Sequence, residues 1–471
     1  MPTRLNCARR VSGLLPALLL AACSPTASTP PDLPAPVPTA AVVATAAAPA
    51  SSCEALPGWF PKTPFPDGNA FPLSGTLNNC AFHQWAYQMF LWLGQPSSGT
   101  DGAPLNFETL ASPTALLRPG GPGATPYPGR AAGEQPRILA RVAKSSQSVD
   151  AKDIFQAGPG AQVLIDQAGN VVYYTGLLNQ DFWNFVTANQ LYSLTGLKGV
   201  ATGQDFPINT LELKLAWRVA AFLDSNGQPT QTFIPNAAQH FHTEEQAVPV
   251  VTLVNGQISD NSGKTQRAQL ALIGMHVVGV VKDHPEFIWA TFEHKANAPD
   301  CSKVPASGSD PLSGLPWSLY TPNSPLAIQN QFDVNNPLQT VSVCRQVPFG
   351  GGTADNIGNI QSLNASVASQ QSGSVWANYQ LVGAQWTTGN DDIPGANGAA
   401  MAPGNRQIGS LQLANTSMET FTQDANCFAC HNAGVHTVTV GTSGQSVSGK
   451  HLNLSHFIVN YQAWLQAMPN P

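Results

Sequence analysis

The stretch LELKLAWRV, residues 211–219, decides how the body of this chain is read. Leu211, Leu213, Leu215, Trp217 and Val219 alternate with Glu212, Lys214 and Arg218. A period of two sends successive side chains to opposite faces of a pleated strand, so the segment reads as a half-buried β-strand. Working outward, residues 247–254, 270–281 and 287–294 read as further strands, and 374–386 as one more. Residues 162–166 and 171–175 flank Gly169 and Asn170, a hairpin signature. Helices are few. Phe82, Trp85, Ala86, Met89, Phe90 and Leu93 recur at steps of three and four, and Gly94 follows, which predicts a buried amphipathic helix over Cys80–Leu93 that also carries His83. Asn179–Leu194 reads as a second helix. Residues 95–135 read as loop, and 300–375 as loop-heavy without a clear period. The expected fold class is α+β: a β-rich, sandwich or barrel-like body, residues 53–410, followed by a short helical module, residues 411–471.

The N-terminus carries export chemistry. Arg4, Arg9 and Arg10 precede an apolar run, Leu14 to Ala22. That run falls short of the ~20 residues a membrane span needs, so residues 1–22 read as a secretory signal peptide. Leu20, Ala21 and Ala22 lead into Cys23, which resembles a bacterial lipobox and implies a diacylated Cys23 at the mature N-terminus; an ordinary signal with an incidental cysteine is the alternative. The arginine pair hints at a twin-arginine signal, but the residues after it fit poorly. Residues 24–52 are almost all Pro, Ala, Thr, Ser and Val and cannot bury a core, so residues 23–52 read as a lipidated tether. Ser24 is not the Asp that would argue for inner-membrane retention, which favours the outer membrane in a Gram-negative cell.

Composition agrees. Only 10% of residues are charged, and losing the signal removes three of the 21 basic side chains and none of the 27 acidic ones, which takes the formal charge from −6 to −9. That balance excludes a nucleic-acid binder, which needs a basic footprint. Eight cysteines are present. Cys7 leaves with the signal, Cys23 takes lipid, and Cys427 and Cys430 belong to the motif below. Cys53, Cys80, Cys301 and Cys344 remain, an even set for an oxidising compartment. Sequence proximity favours Cys53–Cys80 and Cys301–Cys344, with all three connectivities open.

Cys427, Phe428, Ala429, Cys430 and His431 form C-x-x-C-H. Two thiols one helical turn apart can form thioethers to both vinyl groups of a haem, and the next residue carries its imidazole to the iron. Chance would place the motif ~0.003 times in a chain of this composition. A zinc knuckle would need two more ligands at suitable spacing, and a thioredoxin-like pair would need a βαβ context. One covalent haem c is therefore expected. A helix over Asn415–Gln423 is expected to lead into the motif. A second, over Leu454–Met468, is expected to follow it, because Leu454, Phe457, Ile458, Tyr461, Leu465 and Met468 share a face.

The chain resembles uncharacterised bacterial proteins of the cytochrome c family, in which a β-rich body precedes one C-terminal haem motif. The likeness rests on CAFHQW from Cys80, LELKLAWR from Leu211, GMHV from Gly274, IWATFEH from Ile288, VWANYQ from Val375 and NTSMETF from Asn415. It implies haem binding and redox involvement, and no particular substrate.

The sixth iron ligand is open on sequence. His456 leads as the distal candidate, with His451, Met401, Met418 and Met468 behind it. His276 and His294 sit on apolar strands and read as core histidines. His240 and His242 fall on an expected loop and are weak evidence for a metal. Glu293 and His294 are adjacent, so they face opposite ways on a strand and cannot act as a simple dyad; one structural and one exposed residue is the expectation. The chain lacks a G-x-S-x-G, a Walker loop and a dinucleotide fingerprint. The functional expectation is an electron carrier that meets a redox partner protein in the cell envelope. The alternatives are a haem enzyme of peroxidase or oxygenase type and a haem-based sensor.

Overall fold

A computed structural model describes residues 53–117, 121–122, 127–128, 154, 156–158, 162–259, 264–389, 393–395, 407–447 and 451–461, apart from 101, 306, 312, 425, 435, 441, 442, 456, 459 and 460. The signal peptide, Cys23, the tether, Met401, His456 and Met468 lie outside the described residues.

The LELKLAWRV stretch opens the strand around which everything else is arranged. In chain order the strands are β1 (Tyr173–Leu178), β2 (Leu211–Leu223), β3 (Pro229–Thr232), β4 (Thr243–Pro249), β5 (Thr252–Val254), β6 (Gln257–Ser259), β7 (Thr265–Val281), β8 (His284–His294), β9 (Tyr379–Trp386), β10 (Ile408–Gly409), β11 (His436–Val440) and β12 (Ser443–Val447). One eight-stranded sheet runs β1-β2-β7-β8-β9-β10, with β3 on β2 and β4 on β7; β5-β6 and β11-β12 are separate two-stranded ribbons. Every pairing is antiparallel. The body is thus β-rich with few helices. Among the described residues, β1 and β10 stand at the ends of the sheet.

The helices are α1 (Asn79–Leu93), α2 (Pro113–Leu116), α3 (Gln180–Ala188), α4 (Leu194–Gly199), α5 (Ala354–Gln370) and α6 (Cys427–Cys430). No helix among the described residues is long and apolar enough to cross a membrane. On one face of the sheet, α1 and α5 cover Leu211, Leu213, Leu215 and Trp217 of β2, Met275 and Val277 of β7, and Phe292 of β8. The opposite face divides. Ala216, Ala271 and Ile273 pack with Leu319, Val343 and Met418. Val278, Phe287 and Trp289 pack with Phe182, Phe428 and Phe457. Because both faces are covered, the expected half-buried strand is in fact buried almost throughout, and Arg218 turns inward to an ion pair with Asp166 at 3.0 Å and to Ser318.

Helix α1 is more enclosed than a one-faced amphipathic helix. Its polar Gln84 and Gln88 are buried and donate to the carbonyls of Glu54 and Pro64, so the N-terminal arm covers the stripe expected to face water. Asn78 caps its start. Gly94 ends it where a Cβ would lie 2.7 Å from the Trp376 ring, so only glycine fits. Disulfides join Cys53 to Cys80 (S–S 2.06 Å) and Cys301 to Cys344 (1.94 Å), the pairing that proximity favoured.

Several expectations move. The helix expected over 179–194 stops at Ala188, because Asn189 folds back on Phe185 and Gln190 takes a positive φ of 51°. The strand expected over 247–254 is two strands, β4 ending at Pro249 and β5 beginning at Thr252. The loop-heavy stretch contains α5, whose buried Asn356, Ile360, Leu363 and Val367 make a sparse helical stripe. Residues 415–423 form turns instead of a helix. Asn415 spends its amide on Thr291 and Phe292 of β8, and Glu419 accepts from the Asn415 N–H, so local side-chain bonds replace the helical ladder.

Candidate functional site

The motif opens with a cap. Asn426 is extended (φ −118°, ψ 161°), and its side chain accepts from the Ala429 N–H at 2.9 Å, which starts the single turn of α6. Within that turn Phe428 is fully buried against Trp289 and Phe457, so the turn is nailed to the sheet by its middle residue. Cys427 is left half-buried and Cys430 exposed, both outside the two disulfides. The Cys427 N–H donates to Gln385 Oε1 of β9 at 3.0 Å. Gln385 is buried, and its Nε2 has no hydrogen-bond partner, an orphaned donor beside the motif.

His431 follows the turn. Its Nδ1 lies 2.8 Å from the Leu454 carbonyl, in a 3-10 turn over His451–Ser455. A carbonyl only accepts, so Nδ1 carries the proton and Nε2 is the nitrogen with a lone pair for a metal. The Trp289 ring lies 4.1 Å away, tilted by 43°, and fixes the plane of the imidazole. The Trp289 indole is itself anchored, donating to the Glu286 carbonyl at 2.9 Å. These features fit a c-type haem: two thiols on one turn, an imidazole in the tautomer iron needs, and a wall of Trp289, Phe428 and Phe457. Neither a protein-family model, nor a curated protein, nor a solved structure matches this chain.

The other sequence candidates scatter. His451 pairs through Nδ1 with Asp205. Met418 is fully buried in the cluster with Ile273 and Leu319, a different group from the one holding Phe428. His294 stacks on Phe241 at 4.0 Å, and its Nε2 lies 3.2 Å from the His240 carbonyl. His276 meets Glu419 at 3.3 Å. Glu293 and His294 are both fully buried, where one exposed residue was expected. Arg345 explains the difference: it pairs with Glu293 and with Asp300 at 2.7 Å, and the Thr416 N–H and hydroxyl complete the Glu293 carboxylate. The turn that begins at Asn415 rests on β7 at Gly274, where a Cβ would lie 2.5 Å from Ser417 Oγ.

Sequence reasoning missed Trp289, Gln385 and the Leu454 carbonyl. Trp289 and Gln385 are register partners on β8 and β9, brought under the motif by pairing that only the fold supplies. The one available signal was weak, since Gln385 is one of two glutamines, with Gln380, in a mostly apolar strand.

Proposed function

We propose that this chain is a lipid-anchored, mono-haem c-type cytochrome of the cell envelope. In this reading residues 411–471 are its haem module, and it transfers electrons to or from a redox partner protein. Cys427 and Cys430 would hold the haem by thioethers, and His431 Nε2 would ligate the iron. When bound, the haem supplies a one-electron couple in the exported compartment. The observation that carries the reading is the His431 Nδ1–H donating to the Leu454 carbonyl, which selects the ligating tautomer in the residue directly after a C-x-x-C turn.

The chain's own groups divide the work. Leu454 and Trp289 hold the imidazole in one plane. Asn426 and Gln385 hold the turn that carries both thiols. The buried face of the module keeps water from His431 on the sheet side. The lipid anchor at Cys23 and the tether would keep the folded body near a membrane, outer-membrane placement being favoured in a Gram-negative cell.

The test is expression with the native signal in a host that matures c-type cytochromes. A haem-stained band that survives denaturation, and the absorption of a haem bound through two thioethers, are the expected results. Cys427→Ser with Cys430→Ser should abolish both, and Cys23→Ala should move the protein out of the detergent phase. A chain that carries no covalent haem in such a host overturns the reading. Carbon monoxide bound readily by the reduced protein would shift the role from electron carrier to haem enzyme or sensor, because that chemistry needs an open iron position.

A further inference from the structure

Far along β9 from the motif, a second set of metal-binding groups converges. His242 stands just before β4, Glu244 is the second residue of β4, and Glu108 lies in a 3-10 turn over Phe107–Thr109. One ligating atom from each falls within 4.8 Å of the others. The three side chains are 14%, 13% and 10% exposed for His242, Glu108 and Glu244. The His242 backbone N–H donates to the Tyr379 hydroxyl at the start of β9. Gln385, at the haem motif, is six residues further, or ~20 Å at strand spacing.

We propose that Glu108, His242 and Glu244 bind one divalent cation of the zinc class, with the remaining coordination position open to water or a substrate oxygen. Three independent features lead there. His242 Nε2 is buried and has no hydrogen-bond partner, a costly arrangement unless something unseen satisfies it. It sits 3.8 Å from Glu108 Oε1 and 3.6 Å from Glu244 Oε1, too far for a hydrogen bond. Donors bound to one tetrahedral zinc at 2.0–2.2 Å stand ~3.4 Å apart, so these gaps are close to what a shared ion requires.

The second feature is the orientation of the carboxylates. Glu108 Oε2 accepts from the Leu105 N–H at 2.6 Å, and Glu244 Oε2 accepts from Gln246 Nε2 at 2.6 Å. Each carboxylate is thereby held by one oxygen with the other turned toward Nε2, the outer-shell support that metal ligands receive. The third is the ring. The Trp376 indole stacks on His242 at 5.5 Å and 14°, and the Phe107 ring meets it edge-on at 5.2 Å, so Nε2 cannot swing away to water. Two carboxylates beside one imidazole leave a local charge that a dication neutralises, and the mix of nitrogen and oxygen donors suits zinc or manganese better than calcium. His240, the other histidine of this stretch, is not one of the three groups that converge.

The experiment uses the full-length mature chain carrying Cys427→Ser and Cys430→Ser, which removes the thiolates that would otherwise compete for zinc. After chelator treatment and desalting, zinc is titrated against a chromogenic chelator, and the melting temperature is followed in parallel. One zinc per chain and a rise in melting temperature are expected. Glu108→Gln preserves shape and removes the charge. It should weaken zinc binding by at least about tenfold and cancel most of the thermal rise, with an unchanged melting temperature in chelator. His242→Ala should do the same, and Glu108→Gln keeps the test decisive if the loss of stacking on Trp376 unfolds that variant. Equal zinc affinity in the parent and Glu108→Gln overturns the proposal. Tighter binding of calcium than of zinc overturns it too, because His242 would then not be a ligand.

Discussion

Along β8 every residue from Glu286 to His294 is buried, and its polar members have partners placed for them: Arg345 and Thr416 on Glu293, Asn415 on Thr291, the His240 carbonyl on His294. Among the described residues, the named elements of the segment that carries C-x-x-C-H are four or five residues long, α6, β11, β12 and the 3-10 turn at His451, and Phe457, Ile458 and Tyr461 beyond them are helical. There Cys430 is exposed and Cys427 only half-buried. Pieces that short are not stable alone, since a helix nucleus costs more than one turn returns. They are held by Phe428, Phe457 and Ile458, which enter the same apolar cluster as Trp289 and Phe182 of the body. The contrast teaches that the body specifies itself by strand pairing and by ion pairs buried against its strands, whereas the motif segment borrows its order from the body's surface.

The hardest test of that contrast is the buried ion pair. Arg345→Met removes the cation from a fully buried Glu293 and leaves that carboxylate uncompensated. Breaking such a pair typically costs about 3–5 kcal/mol, and a lower denaturant midpoint should report it. Because Thr416 shares the same carboxylate, haem attachment should fall together with stability. Adding Glu293→Gln should recover part of the loss, since the buried charge is then gone. A loss under about 1 kcal/mol in the single variant would mean that the sheet centre is no more tightly specified than the motif segment.

The pH dependence separates the two regions next. His83 and His294 are fully buried in the body, and burial holds them down to about 4 and about 3. In the unfolded chain both titrate near 6.5, so below that pH the unfolded state binds more protons and stability falls. The stabilisation is fully present above about 6.5 and is lost as pH drops toward 4 and then 3. Each histidine contributes a slope of up to about 1.4 kcal/mol per pH unit in that window. Glu212, which burial pushes up to about 8, works in the opposite sense, since it gives up a proton on unfolding between about 4.5 and 8. His83→Gln keeps a polar group facing Asn356 and should flatten the melting profile between pH 6 and 4.5 by about one proton. An unchanged profile would show that His83 titrates normally and that this part of the core admits water.

What could be read in advance follows the same division. Period-two alternation in LELKLAWRV and the long apolar runs of β7 and β8 exposed the sheet, because strands buried on both faces leave a dense local signal. Helix α1 was legible from its aromatic spacing, and the disulfides from an even cysteine remainder. Helix α5 was not, because ADNIGNIQSLNASVASQ buries only a thin stripe and is rich in Asn and Ser, which favour turns and caps over helix interiors. The stretch expected as a helix over Asn415–Gln423 forms turns, because its amides and carboxylates bond to β8 and to one another. At the candidate sites, the three motif residues were plain from spacing. Trp289, Gln385 and the Leu454 carbonyl were not, and neither was the meeting of Glu108 with His242, because each depends on contacts between residues far apart in the chain.

The smallest expected effect is the most specific to the motif segment. Asn426→Ala deletes the side chain that accepts from the Ala429 N–H, and N-cap losses of this kind cost about 1 kcal/mol. In a strand-paired body such a loss would be shared by the whole cooperative unit and barely register. In a four-residue helix it is large compared with anything else holding the turn, apart from Phe428 and Gln385. The global denaturant midpoint should therefore move little, while the fraction of chains with covalently attached haem falls, read from haem stain against total protein. Asn426→Ser, which keeps a capping oxygen, should restore attachment. If Ala and Ser variants attach haem equally well, Phe428 and Gln385 are enough to present the thiols. If instead the Ala variant lowers global stability by more than about 2 kcal/mol, the upper end for a cap, then the motif segment belongs to the same cooperative unit as the sheet, and the contrast between the two regions fails.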